Sequence, residues 1–255
     1  AITDHGVMYG VVDFYEACKK AGVHPVIGCE VYVAQGSRFD KTQVSREYAH
    51  LVLLCENEEG YHNLIALVSK AWVEGFYNKP RVDLELLRQH HQGLIALSAC
   101  LAGEIPRALS RGDYPGAKEA ALQYRDIFGP ENFFLELQDH GLPEQKRINP
   151  QIIRLSRETG IPLVCTNDCH YIAREDSKMH KVLLCIQTGR TVEDEDTLEF
   201  GSDEFYLKTE EQMRALFPDA PEAVDNTAKI AQRCRVELEF GQTKYPAFTP
   251  PDGTG

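Results

Sequence analysis

The sequence predicts an α/β fold, arranged as a closed or nearly closed β/α barrel with a helical extension at its carboxyl end. Three observations predict it: short apolar, β-branched segments alternate with helical segments, six or seven such units follow one another, and 255 residues suffice for one barrel-sized domain. A doubly wound open sheet is the alternative that this pattern leaves open.

Each element follows from its local pattern. Short apolar runs predict strands at 26–34, 50–55, 93–101, 133–138 and 163–170. Longer segments between them predict helices at 11–21, 61–72, 84–91, 105–110, 115–128, 144–159 and 175–187. Near the carboxyl end, the stretch from Thr209 to Gln212 is a capping-box start and Pro221 suits a first helical turn, which predicts helices at 209–217 and 220–234.

These elements divide the chain into three predicted parts. We expect a barrel over 1–205, a helical extension over 206–240, and the start of a linker over 241–255. Because the chain begins with Ala1 in what resembles the end of a strand, we also expect a strand upstream of it. Segment 189–205 includes the acidic cluster Glu193, Asp194, Glu195, Asp196 and Glu199. We interpret the segment as a solvated loop, and the more specific alternative is that these carboxylates bind a metal.

Composition excludes several classes of protein. No apolar run approaches the roughly 18 residues of a membrane span, so no membrane partner is expected. The chain has 27 Lys and Arg against 39 Asp and Glu, and its formal net charge of -12 argues against a surface that binds nucleic-acid phosphates everywhere. The eight cysteines lack the spacing of a disulfide framework, which favours reduced thiols and a cytoplasmic location.

Side chains that can bind metals recur at the edges of the predicted strands. They are Asp4, His5, Glu30, His50, Cys100, Asp168 and His170. Catalytic groups of β/α barrels lie at the carboxyl ends of strands, which suits all of these positions except His50. His50 begins its strand, so either that strand runs antiparallel to its neighbours or His50 lies at the opposite edge. In an extended strand Asp168 and His170 would share a face and could bind one ion.

The donor types indicate a metal and a reaction class. Each residue taken alone also has a structural interpretation, such as a hydrogen-bonded histidine or a buried cysteine in the core. For His140, the sequence does not decide between a metal ligand and a structural residue. Together, carboxylate, imidazole and thiolate ligands favour zinc, manganese or iron over magnesium, and such ions suit phosphoester cleavage. The sequence has no glycine-rich phosphate loop, nucleophile elbow or dinucleotide fingerprint, so hydride and acyl transfer lack support.

Five short motifs follow one another along the chain in a fixed order. They are Thr-Asp-His-Gly at 3–6, Ile-Gly-Cys-Glu at 27–30, His-Leu-Val at 50–52, Ser-Ala-Cys-Leu at 98–101 and Thr-Asn-Asp-Cys-His at 166–170. In this order they resemble the later motifs of the PHP (polymerase and histidinol phosphatase) domain family. Stretches 57–64, 221–234 and 245–248 are similar to the branch of this family found in bacterial DNA polymerase III alpha subunits.

The resemblance implies a distorted β/α (TIM-like) barrel whose full ligand set holds up to three divalent ions, zinc or manganese. The ligands that it implies in this chain are His5, Glu30, His50, Cys100, Asp168 and His170, with Asp4 beside the site. It further implies that Glu30 bridges two ions and that Glu30, Asp168 and His170 are catalytic.

The family's first motif, a His-x-His pair and a further ligand, is expected upstream of residue 1. Hydrolysis by this chain alone should therefore be weak. The resemblance implies that Glu30, His50 and Cys100 share one ion, which should be the best occupied. The ion at His5 and His170 and the one at Asp168 should be weaker.

The resemblance also implies a function and partners. It implies the amino-terminal domain of a DNA-directed DNA polymerase that acts in DNA replication, with DNA and other replicase subunits as partners. Since all six positions keep coordinating residue types, we expect a metal-dependent phosphoesterase that works as a 3′-5′ exonuclease in the intact protein. The alternatives are a non-catalytic module that braces the polymerase or binds a proofreading subunit, and a stand-alone PHP phosphatase.

Overall fold

Strands and helices alternate along the chain, as a computed structural model shows for residues 1–42, 47–194, 200–243 and 245. The strands are β1 (Gly28–Ala34), β2 (Tyr48–Cys55), β3 (Arg81–Val82), β4 (Leu94–Leu97), β5 (Phe133–Leu137) and β6 (Leu163–Cys165). The helices are α1 (Val11–Ala21), α2 (Glu58–Val73), α3 (Leu84–Gln89), α4 (Glu104–Ser110), α5 (Tyr114–Phe128), α6 (Pro143–Thr159), α7 (Ser177–Thr188), α8 (Glu210–Leu216) and α9 (Pro221–Arg233). The predicted α/β class is confirmed.

The six strands form one mixed sheet in the order β3-β1-β2-β4-β5-β6. Strand β2 runs antiparallel to both of its neighbours, whereas the pairs β1–β3, β4–β5 and β5–β6 are parallel. The amino-terminal segment extends the sheet further, because Ile2 pairs with Ile27 and His5 with Glu30, both in parallel. In the described part of the chain the sheet is not closed, with β3 and β6 at its ends.

The two faces of the sheet lie in different surroundings because side chains alternate along each strand. One face, with Leu53 and Leu135, belongs to the main core under the helices. The other face carries Val52, Leu97 and Phe134, and α9 contributes residues to its core. We call this second surface the inner face.

The helical extension packs on the inner face. Ile230 and Cys234 join its apolar core, and Asn226 Nδ2 donates to the carbonyl of Leu163 in β6 at 2.7 Å. Thr209 and Gln212 form the predicted capping box of α8. The predicted division at 205 and 240 stays a prediction.

The structure corrects several predicted elements. Strand β3 was not predicted, since two residues are too few to leave a pattern. The predicted strand 93–101 is strand only over Leu94–Leu97, and 163–170 only over Leu163–Cys165. Of the acidic residues in segment 189–205, Glu193 and Asp194 are exposed in a turn, and residues 195–199 lie outside the described part of the chain.

No helix in the described ranges combines the length and apolar character that a membrane crossing requires.

Candidate metal centre

The predicted ligands gather at one edge of the sheet. Those brought together are His5, Glu30, His50, Cys100, Asp168 and His170. His50 is the third residue of β2, and because β2 is antiparallel to both neighbours, its amino end lies at the edge where the parallel strands end. Of the two possibilities that the sequence left for His50, the antiparallel strand is the observed one.

Strand register places Glu30 and His50 on the inner face. Glu30 lies directly opposite Val52, a residue of the inner core, and directly opposing residues in an antiparallel pair share a face. His50 is two residues before Val52 and so points to the same side.

A carboxylate between two imidazoles forms the centre of the cluster. The ligand atoms of His5, Glu30 and His50 all lie within 4.8 Å of one another. His50 Nδ1 is 2.5 Å from Glu30 Oε1, and His5 Nδ1 is 3.7 Å from Glu30 Oε2. Cys100 Sγ lies 3.7 Å from His50 Nδ1 and 3.9 Å from Glu30 Oε1. These imidazole, carboxylate and thiol donors fit a borderline divalent ion such as zinc.

Asp168 and His170 reach the site from an irregular segment that follows β6, and the prediction that they lie within an extended strand is wrong. Asp168 has a φ of 43°, in the left-handed region. The chain leaves the sheet after Cys165 because the side chain of Asn167 donates to the carbonyls of Glu204 and Tyr206. His170 Nδ1 lies 2.7 Å from the backbone oxygen of Asp168, which fixes the orientation of the ring.

A cavity of about 800 Å³ opens beside these side chains. Its polar end is lined by His5, Glu30, Cys100, Asp168 and His170, and its apolar end includes Val52, Leu97, Val164 and Ile230. Asp4, expected beside the site, also lines it. A concave, largely apolar space with a few convergent polar groups is typical of a substrate site.

The pKa values of Glu30 and Asp168 are shifted in opposite directions. Burial raises the pKa of Glu30, but the hydrogen bond with His50 and the nearby imidazoles outweigh burial, so its pKa lies below the ordinary value. Burial and the charge of Glu30 raise the pKa of Asp168 above its ordinary value. Glu30 is therefore ionised at neutral pH, as a metal ligand must be.

The thiol of Cys100 needs a metal to ionise. Burial, helped by the charges of Glu30 and Asp168, raises its pKa well above the ordinary value for cysteine. Binding of an ion there would displace the proton, so the affinity for that ion should increase with pH.

The sequence analysis missed one buried carboxyl group, that of Glu136. Glu136 belongs to the same face of β5 as Phe134 and lines the cavity. Its Oε2 accepts from the backbone N–H of Ala99 at 2.8 Å, and its Oε1 accepts from the Thr166 hydroxyl. Burial raises its pKa to about 7. The sequence feature that could have indicated this residue is a glutamate within the otherwise apolar segment 133–137.

Glu136 should make stability depend on pH. Because the folded chain binds this proton more tightly than the unfolded chain, with its ordinary pKa of 4.5, stability should fall as pH rises from about 4.5 to about 7. Urea unfolding with a chelator present should show wild type losing roughly 2 to 3 kcal/mol between pH 5 and pH 8 relative to Glu136→Gln. An equal pH dependence of the two proteins would contradict the buried, protonated carboxyl.

His140, undecided from sequence, has a structural environment. Its Nε2 lies 2.9 Å from the backbone oxygen of Asn167 and its Nδ1 lies 2.8 Å from Gln145 Nε2. Its ring stacks on Phe205 with 3.8 Å between centroids. Both ring nitrogens therefore have protein partners.

Comparisons with known proteins identify relatives of this chain. The chain is 52% identical over 253 residues to the DNA polymerase III subunit alpha of Treponema pallidum, an alignment that covers 98% of the chain and 22% of the relative. It is 45% identical over 262 residues to the subunit of the same name from Thermus aquaticus, covering 99% of the chain and 21% of the relative. For the one from Borreliella burgdorferi the identity is 44% over 236 residues, covering 92% and 20%. The chain thus spans about one fifth of the length of these curated relatives.

A protein-family model also matches the chain. The family model described as PHP domain matches residues 1–140, more than half of the chain. That stretch includes four of the five motifs on which the resemblance was based, and the match confirms the predicted distorted β/α barrel. The chain belongs to the PHP domain family.

Proposed function

We propose that this domain is a metal-dependent phosphoesterase, and that in the intact protein it removes mispaired nucleotides from DNA 3′ ends as a 3′-5′ exonuclease. The observation that carries the proposal is the ionised, buried carboxylate of Glu30 between His5 and His50, beside a substrate-sized cavity. A carboxylate with only a structural role would not require two imidazoles and a thiol as neighbours.

The proposed metal ligands are the six residues that the sequence indicates. His5, Glu30, His50 and Cys100 form the inner group, and Asp168 and His170 face it across the cavity. The mixture of nitrogen, oxygen and sulfur donors favours zinc or manganese. A divalent ion bound there supplies a Lewis acid that activates water and neutralises the departing oxygen of a phosphoester.

The remaining roles follow from the positions of the side chains. Glu30 provides a fixed negative charge, since its pKa is lowered and its side chain is 5% exposed. The Nδ1 of His170 is held by the backbone of Asp168, which leaves Nε2 to face an ion or substrate. Asp168 lines the cavity beside the inner group, where it can act as a further carboxylate ligand.

The proposal also concerns the longer protein to which this domain would belong. We propose that the domain is the amino-terminal part of a DNA-directed DNA polymerase III alpha subunit, which works with DNA and other replicase subunits in the cytoplasm. The support is the identity of 44–52% to relatives with that name and the eight free cysteines. The polymerase activity itself would reside in the remaining four fifths of such a chain.

A nuclease assay on the intact polymerase tests the proposal. With manganese or zinc present, it should shorten a primer with a mispaired 3′ end, and Asp168→Asn should lower that rate about tenfold to 100-fold because a carboxylate ligand is lost. Asp126→Asn, which changes an exposed carboxylate on α5, is the matched control. If the Asp168 variant and the wild type shortened the primer equally, the centre would not be the nuclease.

The same assay decides between this function and a structural role. A non-catalytic module would give no metal-dependent shortening with the wild-type intact chain, although polymerisation would persist.

A further inference from the structure

His5 is the most exposed side chain of the group formed with Glu30 and His50. The side chain of His5 is 45% exposed, whereas those of His50 and Glu30 are 15% and 5% exposed. A DNA end that reaches the cluster at His5 would therefore contact the residues that border His5.

One border of His5 is a group of aromatic side chains and a lysine. The ring of Tyr32 stacks on His5 with 6.2 Å between centroids and an interplanar angle of 13°. Lys79 Nζ lies 5.4 Å from the centroid of that Tyr32 ring. Trp72 Nε1 donates to the carbonyl of Gly6, next to His5, at 2.9 Å, and Trp72 stacks on Phe76 at 5.2 Å. We call Tyr32, Trp72, Phe76 and Lys79 the aromatic platform.

The backbone around the platform is closely packed. A Cβ at Gly6 would lie 2.9 Å from both Tyr32 and Pro80, so the segment after His5 touches the platform directly. Asn78, with a φ of 62°, makes the tight turn that carries Lys79, and Tyr77 N–H donates to the Lys79 carbonyl at 3.0 Å. The platform is therefore held in place before any ligand binds.

Buried Arg81 anchors the far end of that turn. It is fully buried, and its guanidinium donates to the carbonyls of Gly75 at 3.1 Å and Asp40 at 2.8 Å. The acidic residues nearest to Lys79 along the chain, Glu74 and Asp83, both pair with Arg38, at 2.7 Å and 3.0 Å. Lys79 makes no ion pair with any of the described residues, and it is half-buried beside the Tyr32 ring.

We propose that the aromatic platform binds the last nucleotides of a single-stranded DNA end and directs the terminal phosphate to the metal centre. The inference rests on the proposed function. Trp72 and Phe76 are 42% and 43% exposed, enough for a base to stack on them, and base stacking on an aromatic ring contributes about 1–3 kcal/mol. Lys79 supplies the local positive charge for a backbone phosphate, which a chain with net charge -12 lacks over most of its surface.

The geometry favours a single strand over a duplex. Bases within a duplex are already stacked on each other, whereas the bases of a frayed or mispaired 3′ end are free to stack on protein rings. A mispaired end is the substrate that the proposed exonuclease would require.

Trp72 provides a direct probe because it is the only tryptophan in the chain. Titration of this chain with a single-stranded oligothymidylate, in low salt and with chelator to prevent hydrolysis, should quench the tryptophan fluorescence in a saturable manner. A duplex of equal length should quench less. Anisotropy of a labelled oligothymidylate measures binding independently of Trp72.

Two variants and a control complete the experiment. Lys79→Met should weaken oligothymidylate binding about fivefold to tenfold and reduce the salt dependence by about one phosphate contact, and Trp72→Leu should weaken it at least fivefold in the anisotropy assay. Lys118→Met, which removes an exposed lysine paired with Glu158, should leave binding unchanged.

Three results would contradict the proposal. The first is oligothymidylate binding that does not quench Trp72 and that neither variant weakens. The second is equal quenching by duplex and single strand, and the third is no oligothymidylate binding at all. None of them bears on metal-dependent hydrolysis in the intact chain, so failure of the platform is distinguishable from failure of the proposed nuclease.

Discussion

Glu30→Gln should weaken binding of zinc or manganese to this chain on the order of 1000-fold, which corresponds to roughly 4 kcal/mol. The amide keeps the shape of the side chain but removes the charge that lies 2.5 Å from His50 and 3.7 Å from His5. An ion held by Glu30, His50 and Cys100 would lose its only buried, ionised oxygen ligand. Isothermal titration calorimetry at pH 7.5 to 8 would measure the affinity.

Two controls separate lost binding from lost folding. Urea unfolding of Glu30→Gln in chelator should remain a single cooperative transition, which would show that the variant is folded although it no longer binds the metal. Glu85→Gln changes an exposed carboxylate in the first turn of α3 and should leave metal affinity unchanged. An unchanged affinity of the Glu30 variant would remove Glu30 from the ligand set.

Gly60→Ala should lower the free energy of unfolding by at least about 3 kcal/mol, although alanine is the better helix former by roughly 1 kcal/mol. A Cβ at residue 60 would lie 1.7 Å from the carbonyl oxygen of Gly93, so α2 and the turn before β4 would have to separate. That turn cannot easily adapt, because Gly93 has a φ of 69° and packs against Gly60 and Asn57. Backbone shifts of this size are costly in a closely packed protein.

Urea unfolding of the two proteins measures this effect. Ser69→Ala, at an exposed position of the same helix, is the control and should change stability by less than about 0.5 kcal/mol. If Gly60→Ala were as stable as the wild type, the close approach of α2 to Gly93 would be wrong.

The strands that carry the ligands were predictable from sequence, but their directions were not. The apolar runs indicated β1, β2, β4 and β5, and three of the six ligand candidates, Glu30, His50 and Cys100, lie in or shortly after these strands. Strand direction depends on which neighbour a strand pairs with, and the sequence holds no local signal for that pairing. His50 was therefore ambiguous until β2 was seen to run antiparallel to β1 and β4.

The surroundings of Asp168 show a second limit. An apolar run followed by Thr-Asn-Asp-Cys-His reads as a longer strand, yet pairing with 204–206 draws the chain away from the sheet after Cys165. That partner segment lies nearly 40 residues away, so no local rule predicts it. Asp168 and His170 still reach the site, for a reason different from the predicted one.

Glu136 and the aromatic platform were missed for a related reason. Glu136 belongs to the site only because β5 places it on the inner face beside Ala99 and Thr166, and an isolated glutamate in a strand has many possible roles. Trp72 and Lys79 are far from His5 in sequence and meet it through α2 and the turn that follows. Tertiary packing, rather than local composition, creates these neighbours.

An anomalous difference map from crystals of this chain grown with zinc or manganese would show which of these side chains bind an ion. We expect the strongest peak within bonding distance of Glu30, His50 and Cys100, whose donor atoms already approach one another to within 3.9 Å. Peaks beside His5 and His170 or at Asp168 should be weaker. An empty position at Glu30, His50 and Cys100, with a filled one between His5 and His170, would contradict this expectation.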